Sequence, residues 1–258
     1  MKIGLVLSGG GMRGVAHIGA IKALEEHNII PTHVAGTSSG AIVGGLYAYG
    51  YHWEDIFEFF KSTQLLDFKK YALHKPGFID AEKFYPNFKS YIKEDHFSVL
   101  QKKLMITATN ILDGSPTIFS HGELIKPMLA SAAIPGVFAP VKIQDCYYVD
   151  GGTLNNFPVH DLKPFCDVII GVYVNDFNEI IISELKNSYH VALRAFKIKS
   201  MQEDSAKFTD CDLLIHPKNL IKYGTFDKKH LDDVFNLGYE ATNEKLKTNR
   251  FFKSKIIS

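Results

Sequence analysis

A serine with glycine two residues away on either side, Gly36-Thr37-Ser38-Ser39-Gly40, has the G-x-S-x-G spacing that exposes a hydroxyl at a sharp strand-to-helix turn. Such a hydroxyl attacks carbonyl carbon once a nearby base takes its proton. Earlier in the chain, Gly9-Gly10-Gly11-Met12-Arg13-Gly14 turns successive N–H groups toward one point beside a helix start, which suits an anion or a developing oxyanion. Later, Asp150-Gly151-Gly152 closes an apolar run with a carboxylate. Together the three stretches supply the parts of an acyl transfer: Ser38 as nucleophile, Asp150 as base, and an oxyanion hole from Gly9, Gly10, Gly11 and Met12. Arg13 is expected to shape the loop by hydrogen bonding, with Gly14, Gly36, Gly40, Gly151 and Gly152 keeping the turns small. Ser39, next to the proposed nucleophile, reads as a helix N-cap.

Other chemistries use some of the same residues. A dinucleotide fold also places G-x-G-x-x-G after a strand, but the second strand ends in Gly36-Thr37-Ser38 where a ribose-binding acid belongs. A phosphate P-loop needs Gly-Lys-Ser/Thr, which does not follow. His160, His190, His216 and His230 lie downstream of Asp150 and leave a Ser-His-Asp triad possible by count, although Ser38 comes too early for the usual order of strands. His17 and His33 read as ordinary packed or surface histidines.

The elements that must position these residues follow from the hydrophobic pattern. Ile3 to Leu7 is an apolar run suited to a strand covered on both faces, and Val15 to His27 has helical periodicity. A second strand is expected at His33 to Ala35 and a close-packed, glycine-rich helix at Ser39 to Tyr49. The aromatic stretch from Trp53 to Tyr91 reads as mostly helical with a break at Pro76-Gly77. Its part from Phe57 to Phe88, Phe68 included, reads as core or apolar wall, with an acyl-chain pocket or a lid touching a lipid surface as the alternative. Strands are expected at Leu104 to Thr109, Pro116 to Phe119, Val141 to Ile143, Tyr147 to Val149, Val168 to Val174 and Leu213 to Ile215, with Asp113-Gly114 as a hairpin turn. Helices are expected at Glu123 to Ala132, Glu184 to Lys199 and Lys228 to Lys247. Alternating strands and helices give an α/β class around a mainly parallel sheet.

The chain of 258 residues is 46% hydrophobic, carries a net charge of +1 and spreads its Lys and Arg without a dominant block, so nucleic acid is not an expected partner. Cys146, Cys166 and Cys211 form no CxxC pair and read as small core residues of a reducing compartment, which together with the short apolar N-terminal run leads to an expectation of cytoplasmic location. No metal or cofactor is implied, and the oligomeric state is not encoded legibly.

Ser131-Ala132-Ala133-Ile134-Pro135-Gly136-Val137-Phe138-Ala139-Pro140 and Asn155-Asn156-Phe157-Pro158, taken with the three motifs above, resemble the blocks of the patatin-like phospholipases over roughly Ile3 to Val174. The resemblance implies a three-layer α/β/α sandwich, a Ser-Asp dyad without catalytic histidine on Ser38 and Asp150, and a glycine-rich oxyanion loop at Gly9 to Gly14 with its basic residue at Arg13. It further implies hydrolysis of fatty-acyl esters of lipids, of phospholipase A or lysophospholipase type, through an acyl-enzyme; transient contact of the aromatic stretch with a membrane surface is a separate expectation. Asp-Gly-Gly replaces the Asp-Gly-Ala of many members. Residues 1–258 are expected to form one such domain, with 175–258 as its C-terminal part. The competing expectations are a lipid-binding module without turnover and a dinucleotide-binding protein.

Overall fold

The computed structural model describes residues 1–63, 72, 75–224, 228–249 and 252. In it, alternate residues of the first strand enter two different cores. Ile3, Leu5 and Leu7 of β1 (Ile3–Leu7) join a large apolar cluster on one face of the sheet, while Val6 joins a smaller cluster on the other. Side chains of a strand point alternately to opposite faces, so two cores along one strand mean helices on both sides. The fold is therefore the expected three-layer α/β/α sandwich.

The large core is closed by α1 (Val15–Glu26), α2 (Ser39–Tyr49), α3 (Trp53–Ser62), α4 (Tyr85–Tyr91), α5 (Ile125–Ser131) and, near the C-terminus, α8 (Leu231–Thr248). Helix α8 lies on α1 so closely that a Cβ on Gly19 would meet the Phe235 carbonyl and one on Gly238 the Ala16 carbonyl. The short α6 (Val159–Leu162) covers the opposite face with Val159 and Leu162. Helix α7 (Ser188–Ser205) touches the smaller core only at its edge, through the half-buried Met201, and Asp204 is its one buried residue among those described.

Five strands run parallel in the order β3 (Lys103–Asn110), β2 (His33–Thr37), β1, β7 (Val168–Val172) and β8 (Leu213–Ile215). Three more, β4 (Pro116–Phe119), β5 (Val141–Ile143) and β6 (Cys146–Asp150), pair antiparallel. Their placement matters for the site. Thr107 of β3 pairs with Thr37 of β2 on one edge and Ile118 of β4 on the other, whereas Thr109 pairs with Val149 of β6 and Pro116 of β4. Because β4 occupies the same edge throughout, β6 must share the other edge with β2. The two strands meet end to end, Thr37 opposite Thr107 and Asp150 opposite Ala108. Two residues remote in the chain, Ser38 and Asp150, are brought together by that collision.

Several boundaries differ from the sequence expectation. Strand β2 runs on to Thr37 and β7 stops at Val172, while the final helices start later than expected, at Ser188 and Leu231. Asn187 explains one of these starts, since its side chain accepts the His190 N–H and caps α7. The aromatic stretch contains two helices, α3 and α4, one on each side of the expected break at Pro76-Gly77, and Phe68 lies outside the described residues. Asp113-Gly114 forms the expected turn, with Gly114 at φ 74°. The three cysteines are unpaired and half-buried. No helix among the described residues is long and apolar enough to cross a membrane.

Candidate active site

Ser38 stands between β2 and α2 with φ 55° and ψ −123°. A non-glycine residue held there stores on the order of 1–3 kcal/mol of backbone strain, so the surroundings must fix it. They do so by close approach. A Cβ on Gly36 would lie 2.4 Å from the Gly40 carbonyl oxygen, and one on Gly40 would lie 2.3 Å from the Leu7 carbonyl oxygen, so both positions exclude any side chain. Hydrogen bonds complete the hold: Ser38 N–H donates to Ser131 Oγ at 2.8 Å, and its carbonyl accepts from Ala41 and Ile42.

Asp150 arrives from β6, its own N–H given to the Ala133 carbonyl at 2.9 Å. Its side chain is buried, accepts the Gly152 N–H at 2.7 Å, and lines the same cleft as Ser38. Burial pushes the carboxyl up to about 6, against the downward pull of the Ser38 hydroxyl and the Gly152 amide. At neutral pH the group is ionised yet basic enough to take a proton. Gly151 packs on Thr107 with no room for a side chain.

The glycine-rich loop forms a 3-10 turn at Gly11–Gly14 that runs straight into α1. Gly9, Gly10 and Gly11 line the same cleft as Ser38 and Asp150. Gly9 differs from the expectation in one respect: its N–H is already donated to the Asn156 carbonyl at 3.1 Å. The N–H groups of Gly10, Gly11 and Met12 have no acceptor among the described residues, and the Met12 side chain is buried in the large core. Gly14 backs onto Ser39. Arg13 is buried and spans the loop, Nε donating to the Gly10 carbonyl at 3.2 Å and Nη2 to Asn175 Oδ1 at 2.9 Å. Asn175 in turn donates to the Gly9 carbonyl at 2.5 Å.

Ser39 is not the N-cap. Ser38 takes that position with its non-helical backbone, and Ser39 is the first helical residue, its buried hydroxyl without a partner among the described residues. The histidines are elsewhere. His160 pairs with Asp210, His230 with Asp233, His216 Nε2 lies 2.9 Å from the Asn175 carbonyl, and none, His190 included, lines the cleft. His17 is wholly buried against the Ser8 carbonyl, and burial lowers its pKa to about 4, as befits a core histidine.

Several residues of the site were named by the sequence only inside a longer block, or not at all. Ser131 holds the Ser38 amide and Asn156 the Gly9 amide; both lie in blocks quoted for resemblance with no role attached. Asp204 of α7 accepts from Asn156 Nδ2 at 2.8 Å and from the Tyr173 hydroxyl at 3.1 Å, tying the helix to the loop. Burial pushes its carboxyl up to about 6, against those bonds. The remaining wall of the cleft is largely apolar, with Ile134, Phe177, Leu193, Phe196 and Met201 across from the polar groups. A carbonyl lodged at Ser38 would meet hydroxyl, carboxylate and free amides at once, with an apolar wall for a hydrocarbon chain.

Comparison with known proteins gives the same picture of the fold. The family model described as patatin-like phospholipase matches residues 5–163. A lysophospholipase NTE1 of Scheffersomyces stipitis is 26% identical over 269 residues, covering 92% of this chain and 17% of that protein. An uncharacterized NTE family protein of Mycobacterium tuberculosis is 33% identical over 180 residues, covering 67% of this chain and 49% of that protein. This chain thus spans less than a fifth of the fungal relative and about half of the mycobacterial one. Among solved structures, VipD from Legionella pneumophila superposes with a TM-score of 0.56 at 16% identity, over 96% of this chain and 67% of that one.

Proposed function

The chain belongs to the patatin-like phospholipase family, and from that premise we propose that it hydrolyses fatty-acyl esters of lipids through Ser38 and Asp150. The observation that carries the reading is a single cleft lined by the strained Ser38, by a buried carboxyl whose pKa burial has raised, and by unengaged amides.

In the first step Asp150 takes the Ser38 proton as Oγ bonds to the ester carbon, and the carbonyl oxygen gains negative charge facing the N–H groups of Gly10, Gly11 and Met12. Collapse breaks the bond to the leaving alcohol, which receives the proton from Asp150. Water then repeats the sequence on the acyl-enzyme, the fatty acid leaves and Ser38 recovers its proton. The side chains Leu193, Phe196 and Met201 shelter the hydrocarbon. The exposed Ile181 and Ile182, on the segment leading into α7, provide a transient foothold on a lipid surface. The similarity to proteins named lysophospholipases supports an acyl ester of a lipid as substrate.

A fluorophosphonate probe followed by peptide mapping tests the reading. Label on Ser38 in the native protein, with none in Ser38→Ala and a drop in acyl-ester turnover of about 10⁴-fold or more, is the expected result. Lipid bound without labelling or turnover would leave only a binding module.

A further inference from the structure

The face that α7 turns to the cleft carries Leu193, Phe196, Lys197, Ser200 and Met201. These positions fall at i, i+3, i+4, i+7 and i+8, one stripe of a helix, and Lys197 is the charged member. Its side chain is half-buried and has no ion-pair partner among the described residues. The charges that act on it are both positive, Arg13 and Arg194. Each of those is otherwise engaged: Arg13 with the Gly10 carbonyl and Asn175, Arg194 with the Asn178 carbonyl and the face of Phe177 at 3.9 Å.

The two carboxylates of the cleft do not neutralise the lysine. Asp150 accepts the Gly152 N–H and faces Ser38 across the cleft, while Asp176 accepts the Phe177 N–H and exerts its charge on Arg13. Lys197 is thus an ammonium partly removed from water and surrounded by like charge, an arrangement that costs free energy unless an anion enters. Burial accordingly lowers its pKa.

We propose that Lys197 binds the phosphate of a phospholipid or lysophospholipid whose ester lies at Ser38. The inference rests on the hydrolase reading of Ser38 and narrows it. In a glycerophospholipid the phosphodiester is only a few bonds from the acyl ester, so one molecule reaches both groups along a cleft that Ser38 and Lys197 share. A charge-assisted contact is stronger in this half-desolvated setting than in bulk water, and a neutral glyceride offers Lys197 nothing in exchange. The flexible stem of lysine lets the ammonium follow a headgroup without moving the helix.

Binding of non-hydrolysable ether lipids tests this apart from catalysis. An alkyl-ether lysophosphatidylcholine and the alkylglycerol of the same chain are titrated below their micellar concentrations into the full-length protein by calorimetry. The native protein is expected to bind the phosphate lipid at least roughly tenfold more tightly, a preference that Lys197→Arg keeps and that both Lys197→Met and Lys197→Gln abolish. Equal affinity for the two lipids in the native protein would overturn the proposal. So would variants that weaken both lipids alike and leave the preference intact, since that marks a packing role for α7. Glycerophosphocholine competing as tightly as the lipid would assign the site to free phosphate esters and overturn it as well. Failure of Ser38 to react with fluorophosphonate while the preference persists would refute the hydrolase reading and leave Lys197 as a phosphate-lipid contact.

Discussion

Helices α2 and α7 both border the cleft, and they are built in opposite ways. In α2 every residue from Ser39 to Ala48 is buried, and its first turn lies so near β1 that Gly40 tolerates no side chain. In α7 the one buried residue among those described is the carboxylate Asp204, and Val191 and Ile198 face solvent at 51% and 42% exposure. The first helix holds the proposed nucleophile, Ser38, through its own backbone. The second presents side chains to whatever fills the cleft and is tied down by polar bonds from Asp204. Chemistry at a carbonyl requires placement to a fraction of an ångström, which packed backbone supplies, whereas a wall facing a hydrocarbon chain needs only shape and charge.

The contrast is broken most directly at the reacting end. Asp150→Asn should lower kcat/KM on a neutral acyl ester by about 10³-fold or more while melting near the native temperature, and a variant that keeps its activity would remove the base from the mechanism. The same carboxyl is expected to set the pH profile. With its pKa at about 6, native activity should fall roughly tenfold per unit on the acid side of that value, and a profile flat to pH 5 would contradict the assignment.

Next in size is the backbone approach. Gly40→Ala forces a Cβ against the Leu7 carbonyl and should destabilise the fold by about 3–5 kcal/mol, read by denaturant unfolding. A loss below 1 kcal/mol would show that α2 can shift away from β1, and the comparison with α7 would lose its basis.

On the α7 side, Asp204→Asn tests the polar tether. The folded protein holds the Asp204 proton up to about pH 6, whereas the unfolded chain releases it near 3.8. A raised folded pKa means that this group's stabilisation is complete below about pH 4 and is lost as pH rises through 6. Replacing it by Asn should therefore remove up to about 3 kcal/mol of that pH-dependent loss, so the variant gains on the native protein between pH 4 and 7. A constant difference across the range would mean that Asp204 does not titrate on its own.

The smallest effect is expected at Ser39, whose buried hydroxyl has no partner among the described residues. Ser39→Ala should be neutral or raise stability by about 1 kcal/mol with turnover retained, setting it apart from its neighbour Ser38. A large loss of activity would give Ser39 a role the geometry does not show.

The uneven legibility of the site follows the same division. Strands β1 and β7, the two glycine motifs and Asp150 stood out because strain and burial at α2 and β1 demand particular residue types at fixed local spacing. Ser39 was misread as a cap because a serine at a helix start satisfies the local rule whichever of two adjacent serines holds the non-helical backbone. Gly9 was grouped with the oxyanion donors because motif spacing does not say which amide a distant carbonyl has already taken. Asp204 and Lys197 carried no signal, since a lone acid or lysine on an amphipathic helix usually faces water.

By itself the sequence determined the α/β class, the turn that strains Ser38 and the residue types able to exchange a proton, since all three follow from short-range periodicity and the steric needs of glycine. Tertiary structure alone decided that β6 shares an edge of β3 with β2. Strand pairing is a choice among partners distant in the chain, made by the packing of the whole sheet. From that one choice come the meeting of Asp150 with Ser38, the Asn156 carbonyl that takes the Gly9 amide, and a cleft whose outer wall, α7, has its pattern set by contacts no local window contains.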